Sequence, residues 1–139
     1  MKLDLQATMP EVMRAVEALQ KFTHAQGIPD PIAFGLALAL EECGTNVVKH
    51  AYRSDARQSF QVSFKRLGDE VVIELHDRGP EFDPTTAPAR ERRIHDEDTP
   101  GGWGIDLVKH YMDRIEYRRE AGQNILRLHK RLVMSGHEA

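Results

Sequence analysis

A single cysteine, Cys43, falls within a stretch of helical periodicity. The chain therefore has neither a disulfide framework nor a Cys-x-x-Cys pair for metal or redox chemistry, and a reducing, cytoplasmic setting fits it. Long apolar runs are missing as well. None approaches the ~20 residues that cross a bilayer, and the opening residues, MKLDLQATMPE, hold no signal-like apolar region or cleavage site, so no membrane targeting is expected. There is no excess of positive charge: the formal net charge is -3, which gives no global footprint for nucleic acid, although Arg90, Arg92 and Arg93 form a small local cluster. The seven histidines are scattered without metal-ligand spacing. Internal repeats and low-complexity tracts are absent too. What is there is 139 residues with 40% hydrophobic content, the length and balance of one domain that buries its own core.

Leu3 and Leu5 alternate with polar neighbours and predict a short strand over residues 2–6. Thr8-Met9-Pro10-Glu11 then supplies a capping box with proline in the first turn. Val12, Ala15, Val16, Leu19 and Phe22 follow at helical spacing, so the first helix runs from about residue 9 to about residue 25. Gly27 and Pro29 stop it. Asp30-Pro31 reads as the N-cap and first residue of a second helix, which buries Ile32, Leu36, Leu40, Cys43 and Val47 and ends near Tyr52. Phe60, Val62 and Phe64, then Val71, Ile73 and Leu75, alternate with polar residues around a Gly68-Asp69 turn, which predicts an antiparallel hairpin over residues 58–76. From Asp77 to Gly102 the chain is charged and punctuated by Pro80, Pro84, Pro88 and Pro100. A loop of that length is usually functional or disordered, and Gly79 and Gly101-Gly102 give it hinges. Ile105, Leu107, Val108 and Tyr111 predict a third helix to about Met112, and two strands joined through Ala121-Gly122 close the chain. The expected fold class is α+β: a two-layer sandwich whose mixed, mostly antiparallel sheet is covered on one face by three helices.

Three places could carry chemistry. In the second helix Glu42, Asn46 and His50 fall at i, i+4 and i+8, which puts a carboxylate, an amide and an imidazole on one face with Lys49 beside them. Asp77 ends a strand and is followed by Gly79, where backbone can come close to a ligand and a carboxylate can accept a hydrogen bond from an exocyclic amine. Gly101-Gly102-Trp103-Gly104-Ile105 opens a helix and presents backbone N–H groups suited to phosphate. It is not a Walker A loop, because no Lys-Ser/Thr follows.

In that order, the Glu42-x-x-x-Asn46 helix, Asp77-Arg78-Gly79-Pro80-Glu81-Phe82-Asp83 and the Gly101–Ile105 turn resemble the N-box and two glycine boxes of the GHKL (Bergerat-fold) ATPases. The chain looks most like the small serine-protein kinases that act as anti-sigma factors in bacterial partner switching. The resemblance covers nearly the whole chain. It implies ATP and Mg²⁺ as cofactors, with Asn46 as metal ligand and Glu42 as the catalytic base toward a substrate serine. Lys49 would screen phosphate charge, Asp77 would read the adenine amine and Gly79 would admit the base. Gly101, Gly102, Gly104 and Ile105 would sit at the phosphates beneath an ATP lid over about 80–101. The implied partners are an anti-sigma-factor antagonist as protein substrate and a sigma factor or equivalent regulator, with a homodimer as the family expectation.

Two departures accompany the resemblance. A threonine near the adenine has no counterpart in Gly122-Gln123-Asn124-Ile125, so that hydrogen bond falls to Asn124 or to a water. No dimerisation helix of the sensor histidine kinase type is present either. Other readings stand beside these. His50 reads better as a helix-end or packing residue than as a ligand. His76-Asp77 lacks the further histidines of a metal phosphohydrolase. Arg90, Arg92 and Arg93 suit a solvated lid as well as a phosphate or partner contact, and Trp103 suits either the lid hinge or a partner surface. A non-catalytic ATP-binding switch of the same fold shares every nucleotide residue. An isolated piece of a larger signalling protein is disfavoured by Met1 standing directly before the first strand.

Overall fold

The computed structural model describes residues 1–86 and 104–132. Strand β1 (Lys2–Gln6) leads into helix α1 (Met9–Ala25), whose N-cap Thr8 accepts a hydrogen bond from the Glu11 N–H at 3.4 Å. Glu11 reaches back past the cap, and its Oε1 accepts from the Gln6 N–H at 3.2 Å, so the predicted box closes on the end of β1 instead of on Thr8. Helix α2 (Asp30–Asn46) starts one residue earlier than its sequence suggests. Pro29 is the N-cap and Asp30 lies in the first turn, where its charge faces the positive end of the helix dipole.

The second helix does not stay α-helical to its end. Val47–Ala51 form a π-helical turn, and the Tyr52 N–H donates to the Val47 carbonyl five residues back at 2.9 Å. This widening shifts the i, i+4, i+8 register beyond Asn46. Glu42 and Asn46 keep the face read from the sequence. His50 instead stacks on Phe82, with ring centroids 5.9 Å apart.

Strands β2 (Ser59–Leu67) and β3 (Glu70–Asp77) form the predicted hairpin. After helix α3 (Gly104–Tyr111), β4 (Arg114–Glu120) and β5 (Gln123–Arg131) complete a 5-stranded sheet in the order β1-β2-β3-β5-β4. Every pairing in it is antiparallel. One face follows the period-2 pattern and carries Phe60, Val62, Phe64, Ile73, Leu75, Leu126 and Leu128, all buried in one core with residues of the three helices. The other face is polar: Glu74 pairs with Arg127 and with His76, and His129 lies between Glu70 and Glu116.

Helix α2 is the centre of the helical layer because it is small where its neighbours cross. A Cβ at Gly44 would come within 2.9 Å of Val12 on α1, and one at Gly35 within 2.8 Å of Tyr111 on α3. Close flanking helices press Leu36 and Leu40 onto the sheet, at 0% and 1% exposure. Among the described residues no helix is long and apolar enough to cross a membrane. Leu36→Ala leaves a cavity that this packing cannot collapse. It is expected to lower unfolding stability by about 2–5 kcal/mol, seen as a lower urea midpoint at unchanged slope, and a loss under about 1 kcal/mol would mean that α2 is not packed as described.

Candidate functional site

The π turn, the end of β3 and the start of β5 meet around Asp77. Its position on the core side of the sheet follows from register: Asp77 lies opposite Phe60 on β2 and Asn124 on β5, in line with the buried Ile73 and Leu75. Being the strand's last residue, it exchanges apolar neighbours for a turn. Its Oδ1 accepts from the Gly79 N–H at 2.9 Å and from Asn124 Nδ2 at 2.8 Å, and no donor among the described residues reaches Oδ2. Burial pushes its carboxyl above the ordinary aspartate range, against the opposing pull of the Asn124 and Gly79 hydrogen bonds and the Arg119 and His76 charges.

Gly79 is fixed by close approach. A Cβ there would lie 2.9 Å from the Ala51 carbonyl oxygen and 3.2 Å from Asp77 Oδ1, so only glycine lets the π turn close against the end of β3. Tyr52 holds the same junction, its hydroxyl donating to the Ser59 carbonyl and accepting from the Arg78 N–H, each at 2.7 Å.

Asn124 is 3% exposed and saturated with protein partners. Besides Asp77, its Nδ2 donates to the Pro80 carbonyl at 2.9 Å. Its Oδ1 accepts from Tyr117 Oη at 2.5 Å, from Arg119 at 3.1 Å and from the Phe82 N–H at 3.2 Å. Arg119 also donates to the Gly79 carbonyl at 2.7 Å. Acceptors on one side of the amide and donors on the other fix its orientation. A hydrogen bond from Asn124 to a base would break one of these contacts, so of the two candidates for the missing threonine contact, the water is the one that leaves them intact.

Asn46, Val47, Asp77, Phe82, Tyr117 and Leu126 help to line one cavity of about 20 Å³, room for a water-sized guest. A purine reaching Asp77 has to displace part of this lining, and Phe82 and Pro84 belong to the irregular segment that follows β3. Asn46 is only 7% exposed, and among the described residues its side-chain amide has no hydrogen-bond partner. Its neighbour Thr45 shows the ordinary solution, donating from Oγ1 to the Glu41 carbonyl at 2.7 Å. A buried orphan amide is costly and rare, and a carbonyl oxygen kept free is the donor type that a hard cation takes. Among the described residues no group of three or more His, Cys, Asp and Glu could hold a metal ion.

Glu42, one turn before Asn46, is half-buried. Its carboxyl is pushed up by burial and by the charge of Glu41, and Lys49 pulls it down. Cys43 beside it is buried with its thiol pushed up to about 12, which leaves it inert. The His50 imidazole is held below its ordinary range by desolvation and by Lys49, so it stacks on Phe82 in neutral form at pH 7. Gly104 begins α3. The Ile105 side chain is 1% exposed in the core, so only its backbone is left for a ligand. Gly101, Gly102, Trp103 and Arg90, Arg92 and Arg93, with most of the lid read over about 80–101, lie outside the described residues.

Sequence reading brought Asn46, Asp77 and Gly79 to one place, with Glu42 and Lys49 a turn to either side. It missed Tyr52, Tyr117 and Arg119. Tyr117 and Arg119 lie on one face of β4, opposite Leu126 and Asn124 of β5. Asp77→Asn keeps the acceptor for Gly79 and Asn124 and removes a buried charge. With its native value raised, Asp77 contributes stability that is present below the unfolded-state value and lost as pH rises through the native one. The variant is therefore expected to melt at pH 7 no lower than wild type, with the difference shrinking on acidification. A clear drop in melting temperature would mean that Oδ2 has a protein partner.

The family profile described as the histidine kinase-like ATPase domain matches residues 5–130. The serine/threonine-protein kinase BtrW of Bordetella bronchiseptica is 32% identical over 99 residues, 70% of this chain and 69% of that one. The serine-protein kinase RsbW of Staphylococcus aureus is 29% identical over 94 residues, and the match spans 63% of this chain and 59% of that protein. The crystal structure of the RsbU and RsbW domains of Rv1364c from Mycobacterium tuberculosis superposes with a TM-score of 0.67 at 20% identity, covering 95% of this chain and 32% of that one. With the ordered motifs, the antiparallel sheet under three helices and these matches in hand, the chain belongs to the histidine kinase-like ATPase domain family.

Proposed function

We propose that the chain is an ATP-dependent serine/threonine-protein kinase that acts as an anti-sigma factor, phosphorylating a serine of an anti-sigma-factor antagonist in a cytoplasmic partner-switching module. One observation carries this reading above all. The buried amide of Asn46 has no partner among the described residues and lines the same cavity as Asp77, whose Oδ2 is equally free. The named relatives, serine-protein kinases at 29–32% identity, support it.

Each residue then has a task. Asp77 Oδ2 accepts a hydrogen bond from the adenine amine, and Leu126 and Val47 give the base apolar contact. Asn46 offers its side-chain oxygen to Mg²⁺, which when bound supplies charge neutralisation at the phosphates. The N-terminus of α3 at Gly104 offers backbone N–H groups to phosphate oxygens. Glu42 takes the proton of the substrate serine hydroxyl as its oxygen bonds to the γ-phosphorus and the bond to the β-bridging oxygen breaks, leaving phosphoserine and ADP. Partial burial suits this task, since a carboxylate raised toward the working pH is a stronger base. The Lys49 charge restrains that rise. The lid arginines Arg90, Arg92 or Arg93, the sigma factor or equivalent partner and a homodimer belong to the same proposal.

Incubating the full chain with γ-labelled ATP, Mg²⁺ and a candidate anti-sigma-factor antagonist is expected to label a serine of the antagonist. Glu42→Gln is expected to lower the transfer rate by about a hundredfold or more with ATP affinity almost unchanged. Label that survives this substitution would remove Glu42 as the base. ATP binding with no label in wild type would make the protein a non-catalytic switch that holds its partner by nucleotide state.

A further inference from the structure

Asn124 is the most heavily connected side chain near the base pocket, and its hydrogen bonds to protein leave it no free group for the base contact that the sequence offered it. One amide ties together three parts of the fold. It joins Asp77 at the end of β3, the segment Pro80–Phe82 that follows, and Tyr117 and Arg119 on β4. All its hydrogen-bonding capacity faces protein. It therefore acts on a ligand only through what it holds.

What it holds is the orientation of Asp77. A buried carboxylate without fixed donors can turn about its last torsion and offer either oxygen, or both, to a guest. Here the Asn124 amide at 2.8 Å and the Gly79 N–H at 2.9 Å both take Oδ1, which leaves Oδ2 without a donor among the described residues. Asn124 cannot turn in its own place, because Tyr117, Arg119 and the Phe82 N–H hold its oxygen while Pro80 holds its nitrogen. Arg119 bonds the Gly79 carbonyl as well and so fixes the backbone that carries the second donor.

We infer that Asn124, locked by Tyr117 and Arg119, is a positioning residue that sets base specificity by presenting a single Asp77 oxygen to the pocket, an acceptor that selects a 6-amino purine and repels a 6-oxo purine. This rests on the nucleotide-binding reading of Asp77. A 6-amino group donates to Oδ2. A 6-oxo group sets a carbonyl oxygen against a carboxylate oxygen, and an unsubstituted C6 offers no donor.

The test is equilibrium binding of ATP, ITP and purine riboside triphosphate to the full chain and to two variants. Wild type is expected to prefer ATP. Asn124→Leu removes every polar contact of this side chain. It is expected to weaken ATP by about tenfold or more while ITP and purine riboside triphosphate change by less than about twofold, so that discrimination collapses. Asn124→Asp keeps the volume and the oxygen facing Tyr117, Arg119 and Phe82 but loses the donor to Asp77, and it carries the test alone if the leucine variant does not fold. Its preference for ATP is expected to be lost at pH 8 and regained toward pH 5, where the paired carboxylates share one proton. Arg119 and His76 are the other charges that act on Asp77 and are unaltered in both variants. Equal weakening of all three nucleotides, or an ATP preference untouched in either variant at pH 8, would overturn the inference. A wild type that binds none of the three would overturn the nucleotide reading itself.

Discussion

A carboxylate is buried at the end of a central strand with one oxygen accepting two hydrogen bonds and the other without a donor among the described residues, and the site is arranged around that imbalance. Asp77 sits among core side chains because the β3 register puts it there, and burial raises the energy of its charged form. Asn124 and Gly79 offset that cost with hydrogen bonds to one oxygen, and the Arg119 and His76 charges add to them. The result is a polar group strong enough to organise a ligand and too buried to be satisfied by bulk water.

The π turn sets the second half of the site relative to the first. Without the extra residue per turn, helix α2 would carry the Glu42, Asn46 and His50 stripe in register to its end. The widening after Asn46 brings Ala51 against Gly79 and turns His50 toward Phe82. Asn46 is left at the joint between the α and π registers, buried and, among the described residues, without a side-chain partner. Such single-turn distortions recur at functional positions, and here the close contact with Gly79 shows what holds it in place.

Much of this was legible in sequence because the signals are local. Helical period over Val12 to Phe22 and over Ile32 to Val47, strand alternation over Phe60 to Phe64 and Val71 to Leu75, and glycines at turns placed the elements and the single-faced helical layer. The shared face of Glu42 and Asn46 was legible because i, i+4 spacing survives in an α-helix, and Asp77 stood out because a carboxylate before a glycine at a strand end is conspicuous. The π turn was hidden, since its residues read like any helix end. The work of Asn124, Tyr117 and Arg119 was hidden for a different reason: their partners lie across strands β3 to β5, and register fixes those contacts only after the sheet has formed. The cap at Pro29 instead of Asp30 is a boundary shift of the ordinary size.

We propose that the Asn46 amide and Asp77 Oδ2, both without a partner among the described residues, form one nucleotide and metal site. Calorimetric titration of ATP into wild type and Asn46→Leu, each with and without Mg²⁺, tests this most directly. Wild type is predicted to bind ATP more tightly when Mg²⁺ is present, and the variant to bind ATP with the same affinity in both conditions. A gain in affinity from Mg²⁺ that persists undiminished in Asn46→Leu would contradict it.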